Sequence, residues 1–236
     1  ARDWKPMNDA AILTRPAPTK TEHFDVLIVG AGISGIGGAY HLKTQTPETS
    51  YVILETQETF GGTWSTHKYP GIRSDSDLYT FGYRFKPWVN APIASAEEIL
   101  KYMGEVIAEN DIARHIQRKL QDNTWTVEAV RLDTDETVTF TCNFLWMCQG
   151  YYRHDVGYTP DWEGLEDYKG RIVHPQNWPQ DLDLAGKKVL LIGSGATAAT
   201  LVPAIAGKCA HVTMLQRSPT YFIPGRNANE LADILR

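Results

Sequence analysis

The stretch Phe24–Gly35, FDVLIVGAGISG, decides the fold. Its first half, Phe24–Val29, is short, apolar and rich in β-branched residues, and it runs directly into glycine. A strand of a parallel sheet, buried on both faces, reads this way. Residues Ser34–Thr44 follow with helical spacing and offer Ile36, Tyr40 and Leu42 as inward residues. A second apolar run, Tyr51–Leu54, ends at Glu55, which lies 20 residues past Gly35. Strand, glycine turn, helix, strand and acid together make one βαβ unit.

The glycine spacing has a physical reason. Gly30 permits a tight turn, Gly32 lets the backbone approach a pyrophosphate, and Gly35 lets helix and strand pack closely. The helix start adds free N–H groups and a partial positive charge. Glu55 is placed to accept hydrogen bonds from a ribose diol. A structural βα turn is the alternative, and the flanking strands and the acid weigh against it.

The unit recurs. Lys188–Ile192 is a strand that enters Gly193-Ser194-Gly195-Ala196-Thr197-Ala198, Ala196–Ala206 is a helix containing Pro203, and His211–Gln216 is the next strand. This copy ends in Gln216-Arg217-Ser218 where the first has Glu55. A carboxylate there would repel a 2′-phosphate, whereas an arginine binds one through charge-assisted hydrogen bonds. The second site is therefore expected to prefer NADP over NAD.

Between the two units, Glu55–Trp88 is an irregular aromatic-rich stretch, which inside a compact chain points to function. Ser95-x-x-Glu98 is a capping box that opens an amphipathic helix with Ile99, Leu100, Met103, Val106 and Ile107 on its apolar face. Trp125–Ala129 and Val138–Cys142 alternate around the turn Asp133–Glu136 and read as a hairpin, with Phe144–Cys148 as a separate buried strand. A last helix is expected to begin at Asn229–Arg236. The fold class is thus α/β, with an N-terminal arm over 1–22, a first dinucleotide-binding domain over 23–155, a linker over 156–187 and a second such domain over 188–236.

Composition excludes several other classes. A net charge of −5 gives no electrostatic reason to bind nucleic acid or an anionic membrane, and the basic cluster Arg114, His115, Arg118 and Lys119 reads as a solvated surface. The three cysteines, Cys142, Cys148 and Cys209, show no CxxC pair. They imply neither a disulfide framework nor a metal site, and fit a reducing, cytoplasmic compartment. No apolar run approaches the ~20 residues needed to span a bilayer. The first 23 residues lack the basic and apolar segments of a signal peptide.

A third string lies between the glycine motifs: Tyr168, Gly170, His174, Trp178 and Pro179 in YKGRIVHPQNWP. With both glycine motifs it resembles the class B flavoprotein monooxygenases, and within them the Baeyer–Villiger monooxygenases, whose string F-x-G-x-x-x-H-x-x-x-W-[P/D] it matches with tyrosine in place of phenylalanine. Amine- and sulfide-oxidising flavin monooxygenases usually lack the Trp-Pro ending. Gly61-Gly62-Thr63-Trp64 and Tyr69-Pro70-Gly71-Ile72-Arg73-Ser74-Asp75 resemble further family motifs. The wording is closest to the subgroup of ethionamide-activating monooxygenases.

The resemblance implies two Rossmann-like domains, for FAD and NADP. Ser34 and Glu55 would contact FAD phosphate and ribose, Gly62, Thr63 and Trp64 would lie along the flavin, and Arg73 and Asp75 would form the catalytic neighbourhood of flavin and nicotinamide. Thr197, Arg217 and Ser218, with Gly193, Gly195, Ala196 and Ala198, would hold NADPH. His174 and Trp178 would belong to the inter-domain connection. The implied reaction inserts one oxygen atom of O2 into a ketone, giving an ester or lactone by way of a C4a-peroxyflavin, with thioether oxidation as a second outlet. An N- or S-monooxygenase, and a cofactor-binding module without turnover, are the competing expectations.

The family also has a C-terminal segment that completes the FAD domain, and an active-site arginine that pairs with the acid matched by Asp75. Nothing after Arg217 matches either. Both domains are therefore expected to be incomplete on their C-terminal side, and the 236 residues to belong to a longer polypeptide with an apolar surface left uncovered.

Overall fold

The computed structural model describes residues 21–112, 125–131, 133–153, 156–222, 225–230 and 234. Residues 1–20 of the arm expected over 1–22, the cluster Arg114–Lys119 and most of the expected helix at Asn229–Arg236 lie outside the described residues, while Thr21 and Glu22 already belong to the first strand. Strand β1, Thr21–Val29, leads into helix α1, Ile33–Gln45, and then β2, Tyr51–Leu54. Two single-turn helices follow, α2 at Thr63–Thr66 and α3 at Leu78–Phe81, and then the longer α4, Ala96–Glu109. Strands β3, Trp125–Val130, and β4, Thr137–Met147, complete a four-stranded sheet in the order β2-β1-β4-β3. The second unit is β5, Lys188–Ile192, helix α5, Ala196–Ile205, and β6, His211–Leu215, with its two strands paired parallel.

β1 pairs parallel with both β2 and β4, which is the arrangement its apolar sequence demands. Asp25 and Ser50 fix the β1–β2 register reciprocally. Asp25 Oδ2 accepts from the Ser50 N–H and hydroxyl at 2.7 Å each, and Ser50 Oγ accepts from the Asp25 N–H at 2.9 Å. The sheet differs from expectation at β4. The expected break between Cys142 and Phe144 is absent, and Thr137–Met147 is one strand. Its first half pairs antiparallel with β3, while Thr139–Met147 pairs parallel with β1. With no glycine or proline inside it, one strand serves both edges in a stagger.

Helix α1 packs through glycine. A Cβ on Gly35 would lie 1.9 Å from the Gly30 carbonyl oxygen, and one on Gly38 would lie 3.3 Å from the Trp146 ring. Ile36 and Ala39 are buried, as is the backbone between them, whereas Tyr40 and Leu42 sit half-buried at its margin. Helix α4 covers the same face of the sheet with Ile99, Met103 and Val106 fully buried. Its capping box is present: the Glu98 N–H donates to Ser95 Oγ, and Glu98 Oε2 accepts from the Ser95 N–H. Leu100 and Ile107 flank this stripe, and Tyr102 belongs to it, which the apolar pattern alone had not placed.

In the second unit, one face of the β5–β6 pair is open. Leu190, Ile192 and Leu215 are 58%, 51% and 53% exposed, the uncovered apolar surface expected of this part of the chain. Among the described residues no helix is long and apolar enough to cross a membrane, and no His, Cys, Asp and Glu cluster could hold a metal ion. All three cysteines are free thiols.

Two substitutions test this packing. Ser95→Ala removes the cap of α4 and is expected to lower unfolding free energy by about 1 kcal/mol in denaturant titration. Gly35→Ala forces α1 off the glycine turn, so its loss should exceed that of Ser95→Ala severalfold. Equal losses would contradict the close contact.

Candidate cofactor-binding site

The first glycine loop is held from four directions. The Gly30 N–H donates to the Leu54 carbonyl at 2.7 Å, and the Cys148 N–H donates to the Val29 carbonyl at 2.8 Å. The Ala31 N–H donates to Glu55 Oε2 at 2.7 Å, and the Ala31 carbonyl accepts from the Gly61 N–H at 3.0 Å. Gly30 has φ +104, and a Cβ there would stand 2.6 Å from the Cys148 carbonyl oxygen. Glycine at this position is therefore a requirement of the protein itself.

Gly32 is a different case. Its φ of −74 is open to any residue, and a Cβ would meet nothing nearer than Gly62 Cα at 3.8 Å. The protein's own packing does not call for glycine there. A ligand approaching the backbone would. Gly32 is also the N-cap of α1, with no side-chain cap and no acidic residue in the first turn. The first-turn amides of such a helix are orphan donors, and its dipole adds partial positive charge. Ser34 stands exposed on that turn. This combination fits the pyrophosphate of FAD.

Glu55 does more than the sequence implied. Its Oε1 accepts from the Thr56 and Gln57 N–H groups at 2.8 and 2.9 Å, while Oε2 holds Ala31. A carboxylate has about four lone-pair sites. Glu55 thus shapes the loop and keeps one acceptor position on Oε2 for a hydroxyl.

Gly61 and Gly62, at φ +125 and +55, bring α2 against the loop, and a Cβ on Gly62 would lie 3.2 Å from Gly32 Cα. Thr63 and Trp64 follow at the start of α2, where Trp64 stacks on Phe81 with centroids 6.4 Å apart. Gly61-Gly62, which alone would read as an ordinary turn, thus sets the GGTW segment against the first glycine loop.

Arg73 and Asp75 both have exposed side chains. The start of their segment packs on the second unit. Gly71, at φ +78, rests on α5, where a Cβ would lie 2.9 Å from Ala204 Cβ and 3.2 Å from the Thr200 carbonyl oxygen. Asp75 faces Tyr152. The Tyr152 hydroxyl is pushed up to about 12 by its hydrogen bond with Tyr151 first, then by burial and the nearby charges of Tyr151, Tyr69 and Asp75.

The second loop repeats the geometry in a more open setting. Gly193 has φ +121, and its N–H donates to the Leu215 carbonyl at 2.9 Å. Gly195 caps α5 with no side-chain hydrogen bond and no acid in the first turn. A Cβ on Gly193 or Gly195 would meet nothing within 4 Å. Since φ at Gly195 is −77, neither strain nor packing explains its glycine, and the space is available to a ligand. Ala196 and Thr197 open α5, and Ala198 is buried where the first unit has Gly35. Arg217 and Ser218 are exposed just past β6. Ser194 Oγ lies 2.6 Å from Thr220 Oγ1, tying that arginine-bearing segment to the glycine loop. This arrangement fits a 2′-phosphorylated dinucleotide.

The string between the motifs is structural at its core. The ring of Tyr168 folds across Gly170, where a Cβ would lie 2.2 Å from its hydroxyl. His174 Nδ1 accepts from the Gln176 N–H at 3.2 Å, and its ring packs on Gly157. Gln176 is buried and donates through Nε2 to the Arg153 carbonyl. Trp178 lines an open cleft of about 430 Å³ together with Lys68, Pro70, Gln180 and Leu182, set apart from both glycine loops. His174 therefore fixes a turn, and Trp178 lies where the linker meets the segment before Gly71.

One supporting residue gave no sequence signal. The Tyr83 hydroxyl donates to the Ile33 carbonyl at 2.7 Å, at the start of α1, and the Tyr83 N–H donates to the Tyr102 hydroxyl at 2.8 Å. Burial, then the neighbouring Tyr102, push the Tyr83 hydroxyl well above the ordinary tyrosine value of 10.0. The neutral phenol is the form the fold retains. Its stabilisation is complete below pH 10 and is lost as pH rises beyond that value. Tyr83→Phe is expected to cost about 1 kcal/mol at neutral pH through the lost hydrogen bond. The gap from the unsubstituted protein should narrow above pH 10, and a constant gap across an alkaline denaturation series would contradict it.

With this geometry in place, comparison with known proteins is informative. The sequence matches the family described as pyridine nucleotide-disulphide oxidoreductase over residues 27–228. It is 53% identical over 212 residues to the FAD-containing monooxygenase EthA of Mycolicibacterium smegmatis, covering 85% of this chain and 43% of that one. The fold superimposes with a TM-score of 0.72 on a cyclohexanone monooxygenase mutant from Rhodococcus sp. Phi1 bound to NADP+, at 27% identity, covering 91% of this chain and 43% of that one. It also matches OTEMO in complex with FAD and NADP, with a TM-score of 0.65 and 30% identity over 85% of this chain and 40% of the other. The chain spans less than half the length of each of these proteins. Two glycine loops on apolar parallel strands and a match across residues 27–228 put this chain in the pyridine nucleotide-disulphide oxidoreductase family, among relatives that are FAD-containing monooxygenases.

Proposed function

We propose that this chain carries the FAD- and NADPH-binding parts of a Baeyer–Villiger monooxygenase. The observation that carries the reading is the pair of uncapped helix starts, Gly32 and Gly195, each with room that the protein's own packing does not fill. FAD would be held by Gly30, Gly32, Ser34, Gly35 and Glu55, with Gly62, Thr63 and Trp64 along its length. NADPH would be held by Gly193, Gly195, Ala196, Thr197 and Ala198, with Arg217 and Ser218 on its 2′-phosphate. The similarity to a monooxygenase bound to NADP+ and to one bound to FAD and NADP supports this assignment.

Bound FAD and NADPH supply the hydride and oxygen-activating chemistry. The chain's own part is orientation and electrostatics. Helix α1 presents orphan amides and a positive dipole end to the FAD phosphates. Helix α5 does the same for the second dinucleotide, and the Arg217 guanidinium selects a phosphorylated ribose over a diol. Arg73 would place positive charge beside the flavin and nicotinamide. Asp75 would anchor a partnering cation. The reaction proposed for the whole protein adds one oxygen atom of O2 to a ketone to give an ester or lactone, with thioether oxidation as a second outlet.

Two measurements check the reading. Arg217→Ala should weaken binding of 2′,5′-ADP by about tenfold or more while leaving 5′-ADP unchanged, the loss of one charge-assisted contact. Equal loss for both ligands would remove Arg217 from the 2′-phosphate. A panel of cyclic ketones under 18O2 should yield lactone carrying one labelled oxygen. Labelled N- or S-oxide with no lactone from any ketone would assign the protein to the N- or S-oxidising class instead.

A further inference from the structure

The segment that carries Arg73 and Asp75 does not stand alone. It is held edge-on by the segment that precedes α4: the Ser74 N–H donates to the Ala94 carbonyl at 2.8 Å, and the Ala96 N–H donates to the Ile72 carbonyl at 3.1 Å. Arg73 and Ser95 form an antiparallel bridge between them. The holding segment is gripped in turn by a residue from beyond β6. Asn227 Oδ1 accepts from the Ile93 N–H at 2.8 Å, and Asn227 Nδ2 donates to the Ile93 carbonyl at 2.8 Å. A side-chain amide matches a backbone N–H and C=O pair with one donor and one acceptor, which neither a carboxylate nor an aliphatic side chain can do.

The near end of the same segment rests on the second unit as well. Gly71 meets α5 at Ala204 and the Thr200 carbonyl, so closely that one added carbon would stand 2.9 Å from Ala204 Cβ. Two contacts, Gly71 on α5 and Asn227 on Ile93, therefore connect the second glycine-loop unit with the Arg73–Asp75 segment and with the segment that holds it.

We propose that Asn227 and Gly71 are positioning residues: together they set where the Arg73–Asp75 segment stands relative to the second dinucleotide site, and so fix the approach of the hydride donor to the flavin. The inference rests on the two-cofactor reading above. Neither residue touches a glycine loop, so cofactor affinity should be unaffected and geometry alone should change. Misplacement by about 1 Å costs up to a hundredfold in rate in well-aligned sites.

The test uses the FAD-loaded protein. Asn227→Leu removes both hydrogen bonds at an exposed position that the fold tolerates. Amide exchange at Ile93 and across 72–78 should quicken by about tenfold or more, as protection falls to that of a looser local opening. Anaerobic flavin reduction by saturating NADPH should slow about tenfold to a hundredfold, with FAD content and the KM for NADPH unchanged. Gly71→Ala should slow reduction similarly, because its Cβ would strike Ala204 and the Thr200 carbonyl and its φ of +78 would be strained.

Faster exchange with an unchanged reduction rate would overturn the proposal and leave a merely structural clamp. So would unchanged exchange in Asn227→Leu, or an unchanged reduction rate in Gly71→Ala. If the unsubstituted protein itself fails to reduce its flavin with NADPH, it is the two-cofactor reading that has failed. If it succeeds and the variants match it, the positioning proposal alone has failed.

Discussion

The contact between Gly35 and the carbonyl of Gly30 is the constraint on which the first unit depends. With 1.9 Å between a would-be Cβ and that oxygen, no other residue lets α1 begin so close to the end of β1. From that closeness follow the tight turn, the aim of the helix start across the strand ends, and the space in front of Gly32. The second unit reaches a similar turn with Ala198 in the corresponding place, and its loop stands clear of the rest of the protein. One loop is walled by α2, Glu55 and Cys148, while the other is open.

Much of this architecture was legible in the sequence because its signals are local. Glycine spacing after an apolar run, an acid at the end of the next strand, and Ser95-x-x-Glu98 each specify a backbone geometry within a few residues. The capping box and both glycine turns stand where they were expected. The roles assigned to Arg73, Asp75, Arg217 and Ser218 came from family resemblance. The geometry adds where those side chains stand but does not derive what they do.

What was not legible depends on partners distant in sequence. The continuity of β4 arises because two different strands pair with its two edges at a stagger, and no local pattern reports that. Tyr83 carries no motif, yet its hydroxyl reaches back 50 residues to the start of α1. Gly71 looked like part of a family string, and its φ of +78 together with the approach of α5 explains why it must be glycine. His174 shows the reverse: a residue that stood out by its chemistry accepts a backbone hydrogen bond and fixes a turn.

The two units are thus joined by more than a linker, through Gly71 on α5, Asn227 on Ile93, and Trp178 beside the segment that precedes Gly71. The central claim is that this scaffold presents one dinucleotide to another across the Arg73–Asp75 segment. The most direct measurement is an anaerobic absorbance titration of the FAD-reconstituted whole protein with NADPH, run beside NADH. The account predicts stoichiometric bleaching of the flavin by NADPH and much weaker bleaching by NADH. A protein that takes up no FAD, or whose bound flavin stays oxidised in excess NADPH, would contradict it.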